Sequence, residues 1–465
     1  MGGDLRLGDV AKVQGGFAFK SKDFERVGIP VVKIKNVRKR DVDLTEVDCV
    51  SEEVASRCSN FYVREGDVLI SMTGSGPNAP ASIVGRVARH SGNDSEFLIN
   101  QRVGRFINKD DQRLELRYLY YFLSQSSVQD YLVSIATGSA NQVNISAAQI
   151  ESLDIPLPSL DVQKSIAHIL GTLDDKIELN RQMNATLEAV AQALFKSWFV
   201  DFDPVIDNAL AAGNPIPDEL QARADIRAAL GDKRKPLPEA IQKQFPSSFV
   251  FSEEMGWIPE GWEVLPILQV CDMLGGTQPP ASTFVDNYRD GYVRLLQIRD
   301  FTNDNHITYV PDSPKLRRVE EDEILIGRYG SASGDRKSDS LGRICRGKAG
   351  VYNVALMKLS PVLAGQEYCL RLFDSESFYN YLYGISNKAV QSGFSKKELG
   401  NCIVCLPPTM LREEYEKFGT GLWARQKMFR CESESLTKLR DTLLPKLLSG
   451  QLRIPDAEKR VTEVV

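Results

Sequence analysis

Glu65-Gly66-Asp67-Val68-Leu69-Ile70, followed by Gly74-Ser75, returns later in the chain as Glu321-Asp322-Glu323-Ile324-Leu325-Ile326, followed by Gly330-Ser331. The neighbouring blocks return with it. Gly85-Arg86-Val87-Ala88-Arg89 matches Gly342-Arg343-Ile344-Cys345-Arg346, and Val32-Lys33-Ile34-Lys35-Asn36 matches Leu296-Gln297-Ile298-Arg299-Asp300. The stretch from Ile145-Ser146 to Leu157-Pro158 matches Phe394-Ser395 to Leu406-Pro407. Four blocks keep their order while their offset drifts slowly. The period is far longer than the ~20–50 residues of a solenoid repeat. The 465 residues therefore read as two copies of one domain-plus-helix unit.

The first part of each copy reads as mixed α/β. Ile29-Pro30-Val31-Val32-Lys33-Ile34 and Asp67–Ser71 have the β-branched character of strands. Gly15-Gly16, Gly74-Ser75-Gly76-Pro77 and Gly275-Gly276 break the runs. One helix is expected near Leu114–Leu132 and its counterpart near Glu367–Ile385.

The second part of each copy is a long helix with a four–three apolar seam. In copy one the seam is Ile166, Leu170, Leu173, Ile177, Leu187, Ala191, Leu194 and Trp198, with Asn180 and Asn184 between. In copy two it is Leu411, Tyr415, Phe418, Leu422, Phe429, Leu436, Leu439, Leu443 and Leu447, interrupted by Arg425 and Glu432. That spacing is a coiled-coil pattern, and polar residues within such a seam fix register and partner.

Composition excludes several classes. Hydrophobic residues make up 42% and charged residues 26%, ordinary for a globular chain. No uncharged apolar run approaches the ~18 residues of a membrane span, and the first residues carry no secretory pattern. Eight scattered Cys then read as reduced cytosolic thiols, placing the chain in the cytoplasm. Three His leave little for His-based catalysis. The net charge of −5 does not favour a simple polybasic binder of nucleic acid.

Catalytic motifs are missing. Gly342-Arg343-Ile344-Cys345-Arg346-Gly347-Lys348 nearly spells a phosphate-binding loop, but Ala349 stands where the Mg²⁺-binding hydroxyl belongs. Asn214-Pro215-Ile216-Pro217 lacks the adjacent second Pro and the stacking aromatic of the Asn-Pro-Pro-aromatic motif of amino-group DNA methyltransferases, and reads as a turn. Cys402 and Cys405 have no second ligand pair and read as buried thiols. No metal site is expected.

The positive signal is local basicity at matching places. Copy one offers Lys33, Lys35, Asn36, Arg38, Arg40, Thr73, Ser75, Arg86, Gln101 and Arg102 as candidate DNA contacts. Copy two offers Gln297, Arg299, Arg328, Tyr329, Ser331, Arg343, Arg346 and Lys348. Arg and Lys neutralise phosphates, while Arg, Asn and Gln read base edges. A solvated charged surface explains any single cluster. Repetition of the clusters in both copies argues for two related DNA-reading domains.

Three segments carry a resemblance to a known family. They are Ala191–Pro204 (AQALFKSWFVDFDP), Ile258–Glu263 (IPEGWE) and Leu439–Gly450 (LRDTLLPKLLSG). With the repeat, the chain resembles the specificity (S) subunit of type I restriction–modification systems over nearly its whole length. The resemblance implies a mixed α+β fold: two tandem α/β target-recognition domains separated by two long antiparallel coiled-coil-like helices, with a pseudo-twofold internal repeat. The divisions expected are domain one at 1–158, a helix at 159–200, a Pro-rich linker with a short helix at 201–258, domain two at 259–408, a helix at 409–453 and a frayed tail at 454–465.

It further implies a non-catalytic DNA-recognition subunit. Each domain would read half of a bipartite site in double-stranded DNA. The helices would set the spacer and dock two modification (methyltransferase) subunits, with restriction subunits joining the full complex. The seam residues expected to do this are Ile166, Leu173, Asn180, Asn184, Leu187, Leu194, Trp198, Tyr415, Leu422, Leu436 and Leu443. S-adenosylmethionine, ATP and Mg²⁺ would belong to the partner subunits and none to this chain. The alternatives are a stand-alone nuclease or methyltransferase, and a coiled-coil scaffold without a DNA role.

Overall fold

A computed structural model of the chain describes residues 5–38, 42–44, 46–75, 83–92, 96–139, 142–231, 237–302, 304, 306–331, 334–336, 339–386 and 393–464. The chain divides into two compact units. The first holds residues 1–180 and 431–465; the second holds 181–430.

The first unit is built on an antiparallel sheet in the order Ala11–Gly15, Val103–Asn108, Val68–Ser71, Val87–Arg89. Val68–Ser71 is buried at every residue. Its continuous apolar run is therefore a strand covered on both faces, not a half-exposed alternating one. A second sheet runs Phe24–Glu25, Asp48–Val50, Ile29–Val32, Leu98–Ile99, and its last two strands are parallel.

The second unit repeats this order. Its first sheet is Cys271–Gly275, Leu356–Pro361, Ile324–Gly327, Ile344–Arg346, again antiparallel throughout. The parallel pair returns as Tyr292–Leu296 beside Gly350–Tyr352. The repeated glycines have physical causes. Gly85 and Gly342 lie at φ +72° and +70°, which a side chain resists. A Cβ on Gly16 would meet the Ile99 carbonyl oxygen at 2.2 Å, and one on Gly276 would meet that of Asn353 at 2.0 Å.

Each expected domain helix is instead two helices. Leu116–Leu123 is followed by Ser126–Ile135, and Gln366–Phe373 by Glu376–Ser386. The breaks fall at Ser124-Gln125 and Asp374-Ser375, so the apolar pattern continues while the axis does not. Ser146 and Ser395 open the next short helices with the same capping box, closed by Gln149 and Glu398.

The long helices are Leu160–Phe199 and Thr409–Leu448. In the first unit, Ile166, Leu170 and Leu173 share one core with Leu436, Leu443 and Leu447. Asn180 donates to Glu432 Oε2 at 2.8 Å and Ser433 Oγ at 3.3 Å, so the polar notch is satisfied. In the second unit, Phe195, Trp198, Phe199 and Tyr415 form an aromatic cluster, and the Tyr415 hydroxyl donates to the Ala191 carbonyl at 3.1 Å. The seam departs from the sequence reading in two places. Phe418 is exposed and Gly419 is buried in its stead, because Glu367 lies where a Cβ would sit. Arg425 is exposed, and Gln426 takes the inward position, donating to the Asn184 carbonyl at 3.3 Å.

Two segments fold more fully than their composition implies. Residues 201–258 hold the expected short helix as Asp218–Leu230, and add the helix Asp203–Ala212 and the hairpin Phe249–Ser252/Gly256–Pro259. Pro204 begins a helix, where its missing N–H costs nothing. Phe202 adopts φ +54° beneath the Trp262 ring at 5.5 Å. Asp203 accepts both Arg223 Nε and a terminal nitrogen at 2.7 Å, and Ser197 Oγ at 2.8 Å. The expected frayed tail is the helix Ile454–Thr462, whose Ala457 and Val461 join the first unit's core.

Candidate nucleic-acid interface

The candidate contacts of the first unit gather around one strand-to-turn junction. Strand Ile29–Val32 runs into a 3-10 turn, Ile34–Asn36. Asn36 closes that turn: its Oδ1 accepts Lys33 N at 3.0 Å, and its Nδ2 donates to the carbonyls of Asp43 and Glu46 at 2.9 and 3.0 Å. Asn36 is buried, so its amide is committed to the fold and not offered to a base. Thr73 is likewise buried and donates to Asn144 Oδ1 at 2.6 Å. Lys33 lies 3.7 Å from the Phe24 ring centre and 2.7 Å from Asp48. The hydrogen bond from Lys33 holds the Asp48 carboxyl below its usual pKa.

The surface of this junction is cationic. Lys35 reaches Asp48 only at 4.0 Å, and Arg38 meets Asp43 at 3.2 Å with most of its side chain in solvent. Gln101 and Arg102 are exposed on the turn before strand Val103–Asn108. Ser75 is half-buried at the end of the Thr73–Gly74 strand. Arg86 is half-buried beside the Gly85 turn, and its guanidinium meets no carboxylate among the described residues. Burial, then the charge of Arg38, lowers the pKa of Arg86. Arg40 lies outside the described residues.

The second unit uses the same framework with other side chains. Strand Tyr292–Leu296 runs into the 3-10 turn Ile298–Phe301, and buried Asp300 accepts Gln297 N at 2.6 Å where Asn36 caps its own turn. Gln297 and Arg299 converge on Thr308 Oγ1 at 3.1 and 2.8 Å. Arg328 stacks 5.1 Å from the Tyr329 ring centre and donates to the Phe394 carbonyl at 2.8 Å. Ser331 N donates to Asp339 Oδ1 at 2.9 Å, and Arg343 is half-buried beside the Gly342 turn.

Two of the candidates turn inward. Arg346 pairs with Glu367 at 2.7 Å, both nearly buried, and lies 4.1 Å from the Trp423 ring centre on the long helix. With Arg371 and Arg430 it lines a cavity of about 320 Å³ against both helix segments of this unit. Lys348 donates to the Asp300 carbonyl and to Asp304 at 2.7 Å. These two cations brace the domain from within.

Sequence reading missed the acids that order these loops. Asp339 is fully buried and accepts Ser331 N, Leu341 N and the Tyr379 hydroxyl. The alignment of Asn36 with Asp300 was the available signal for such a structural role. Among the seam residues, Ile166, Leu173, Asn180, Leu187, Trp198, Tyr415, Leu436 and Leu443 are buried, while Asn184, Leu194 and Leu422 are half-buried. Cys402 and Cys405 are buried free thiols, pushed up by burial to about 11 and about 12. No helix among the described residues is long and apolar enough to cross a membrane.

Comparison with known proteins places this geometry. Residues 4–189 match the family described as the type I restriction modification DNA specificity domain. The chain is 27% identical over 372 residues to the HindI type I restriction enzyme specificity subunit of Haemophilus influenzae, covering 72% of this chain and 77% of that one. It is 22% identical over 466 residues to the MjaIX specificity subunit of Methanocaldococcus jannaschii, covering 97% and 93%. A crystal structure of the type I restriction–modification S subunit from M. genitalium aligns over 96% of this chain and 95% of that one, at 15% identity and a TM-score of 0.48. In its first part the chain matches the type I restriction modification DNA specificity domain, and over most of its length it is similar to specificity subunits of type I restriction enzymes.

Proposed function

We propose that the chain is the DNA sequence-recognition subunit of a type I restriction–modification complex, acting in the cytoplasm and non-catalytic by itself. Each unit's sheet domain reads one half of a bipartite site in double-stranded DNA. The two long helices set the unspecified spacer and dock two modification subunits, and restriction subunits complete the assembly. S-adenosylmethionine, ATP and Mg²⁺ act in those partners. The observation that carries this reading is the duplication itself: one strand order, one parallel pair and one polar-capped 3-10 turn occur twice.

Contacts are assigned to cationic and amide side chains at the matching turns of the two domains. In the first domain these are Lys35, Arg38, Arg86, Gln101 and Arg102. In the second they are Arg299, Arg328 and Arg343. Phosphate contacts give a salt-dependent affinity, and base contacts give sequence preference.

The test is to map methylated adenines in host DNA with and without this chain, then with four residues inserted after Asn180. Each long helix has 40 residues, about 60 Å at ~1.5 Å per residue, so four residues add about 6 Å. The expected result is loss of the bipartite pattern without the chain and an altered spacer with the insertion. Methylation that persists without it, or an unchanged spacer, overturns the reading.

A further inference from the structure

We propose that the hairpin Phe249–Ser252/Gly256–Pro259 is a docking surface for a protein subunit presenting an apolar patch rimmed by lysine and arginine. The hairpin pairs in strict antiparallel register, with Phe251 opposite Trp257. Their rings meet edge-on at 5.5 Å. Phe251 is 63% exposed, and Val250 and Met255 are each 40% exposed. One exposed apolar side chain is ordinary. Val250 pairs with buried Ile258 on the other face. Phe251 beside the partly exposed Trp257, with Met255 at the turn, offers exposed apolar surface on one short hairpin of the kind that marks an interaction site.

The hairpin is a fixed platform. Buried Ile258 and Trp262 tie it into the second unit's core, and the Phe249 ring lies 6.4 Å from that of Phe202. Ser248 donates to Glu260 across its base. The apolar side chains are thus held in solvent by an ordered element.

Charge selects the occupant. From Gln244 to Tyr288 the sequence has no Lys, Arg or His, yet it carries Glu253, Glu254, Glu260, Glu263, Asp272 and Asp286. The four glutamates are exposed and border the hairpin. Phosphates are repelled by such a rim, so nucleic acid does not fit this face. A protein surface of opposite charge is steered to it, while the aromatic and Met side chains supply the apolar centre.

The inference rests on reading the chain as a subunit of a larger complex. The test uses the full chain with the modification subunit of the same restriction–modification system. Affinity is measured by analytical ultracentrifugation for wild type, F251S/M255S and E253K/E254K. Both variants alter exposed side chains, and DNA binding by the chain alone checks that they fold.

Wild-type complex formation is expected, weakened at least about tenfold by F251S/M255S. E253K/E254K is expected to weaken it at low salt and to flatten its salt dependence. If wild type does not bind the modification subunit, the proposed function fails. If wild type binds and both variants bind as well, the hairpin proposal alone is overturned. If the chain alone self-associates through the hairpin and the variants abolish only that, the occupant is a second copy and the proposal is likewise overturned.

Discussion

The two units share a backbone plan and differ where each recognition domain grips its helix segments. Tyr118 and Tyr368 stand at the same place, and each is buried. Tyr118 donates to the Pro156 carbonyl at 2.7 Å and Tyr368 to that of Cys405 at 3.2 Å. One residue earlier the chemistry inverts. Glu367 pairs with Arg346, whereas the matching positions of the first unit are Arg117 and Arg89, two cations that cannot pair. Arg117 turns instead to the long helix, donating to Asp175 at 2.5 Å and to the Gly171 carbonyl at 3.1 Å. The first unit adds Tyr121 and Arg440 on Asp174; the second adds Arg371 on Glu188. Duplication preserves strand order because backbone pairing demands it. The joint to the helices is free to drift, because each grip needs only some partner.

Breaking the grips tests this contrast. The largest effect is expected for Arg346→Met, which strands Glu367, itself 3% exposed, without a counter-ion. A loss of about 3–5 kcal/mol in chemical denaturation is expected, and joint replacement of Arg346 and Glu367 by Met restores most of it. A smaller effect, about 1.5–3 kcal/mol, is expected for Arg440→Met in the first unit, since Asp174 keeps the Tyr121 hydroxyl at 2.6 Å. Hydrogen exchange localised to residues 116–123 and 160–175 checks it.

Acid should act on the second unit's linker segment through Asp203. Burial would raise the Asp203 carboxyl, but the hydrogen bonds from Arg223 and Ser197 outweigh it and hold the carboxyl below its usual value near 3.8. Its stabilising contribution is complete above that value and is lost as pH falls through the lower folded one. Asp203→Asn should flatten the acid limb of unfolding measured at residues 203–230; an unaltered limb would sink the assignment. The smallest effect is expected for Arg117→Met, at about 0–1 kcal/mol, because Asp175 is mostly in solvent. A cost there as large as for Arg346→Met would show that the grips are not chemically distinct.

Much of the architecture was legible in the residues. The repeated blocks fall on paired strands: Val68–Ser71 with Val87–Arg89, and Ile324–Gly327 with Ile344–Arg346. The four–three spacing marked both long helices, since a buried stripe on a helix requires it. Phe418 and Arg425 escaped because a stripe one residue wide shifts when a neighbour such as Glu367 needs room. The short helix expected in 201–258 is Asp218–Leu230, and Asp203–Ala212 escaped because a proline that starts a helix reads like one that prevents it. Among the candidate contacts, charge type was readable but commitment was not. Asn36, Arg346 and Lys348 look like surface readers in sequence, and each is bonded inward.

The sequence by itself determined that the chain is double, that its helices carry polar-notched seams, and that cationic side chains recur at matching turns. These properties follow from periodicity and order along one dimension. Only the tertiary structure decided which cations are bonded inward, which acids hold the loops, and how each domain is fastened to its helices. A hydrogen bond or ion pair between residues far apart in the chain depends on which elements meet, and local pattern carries no record of that meeting.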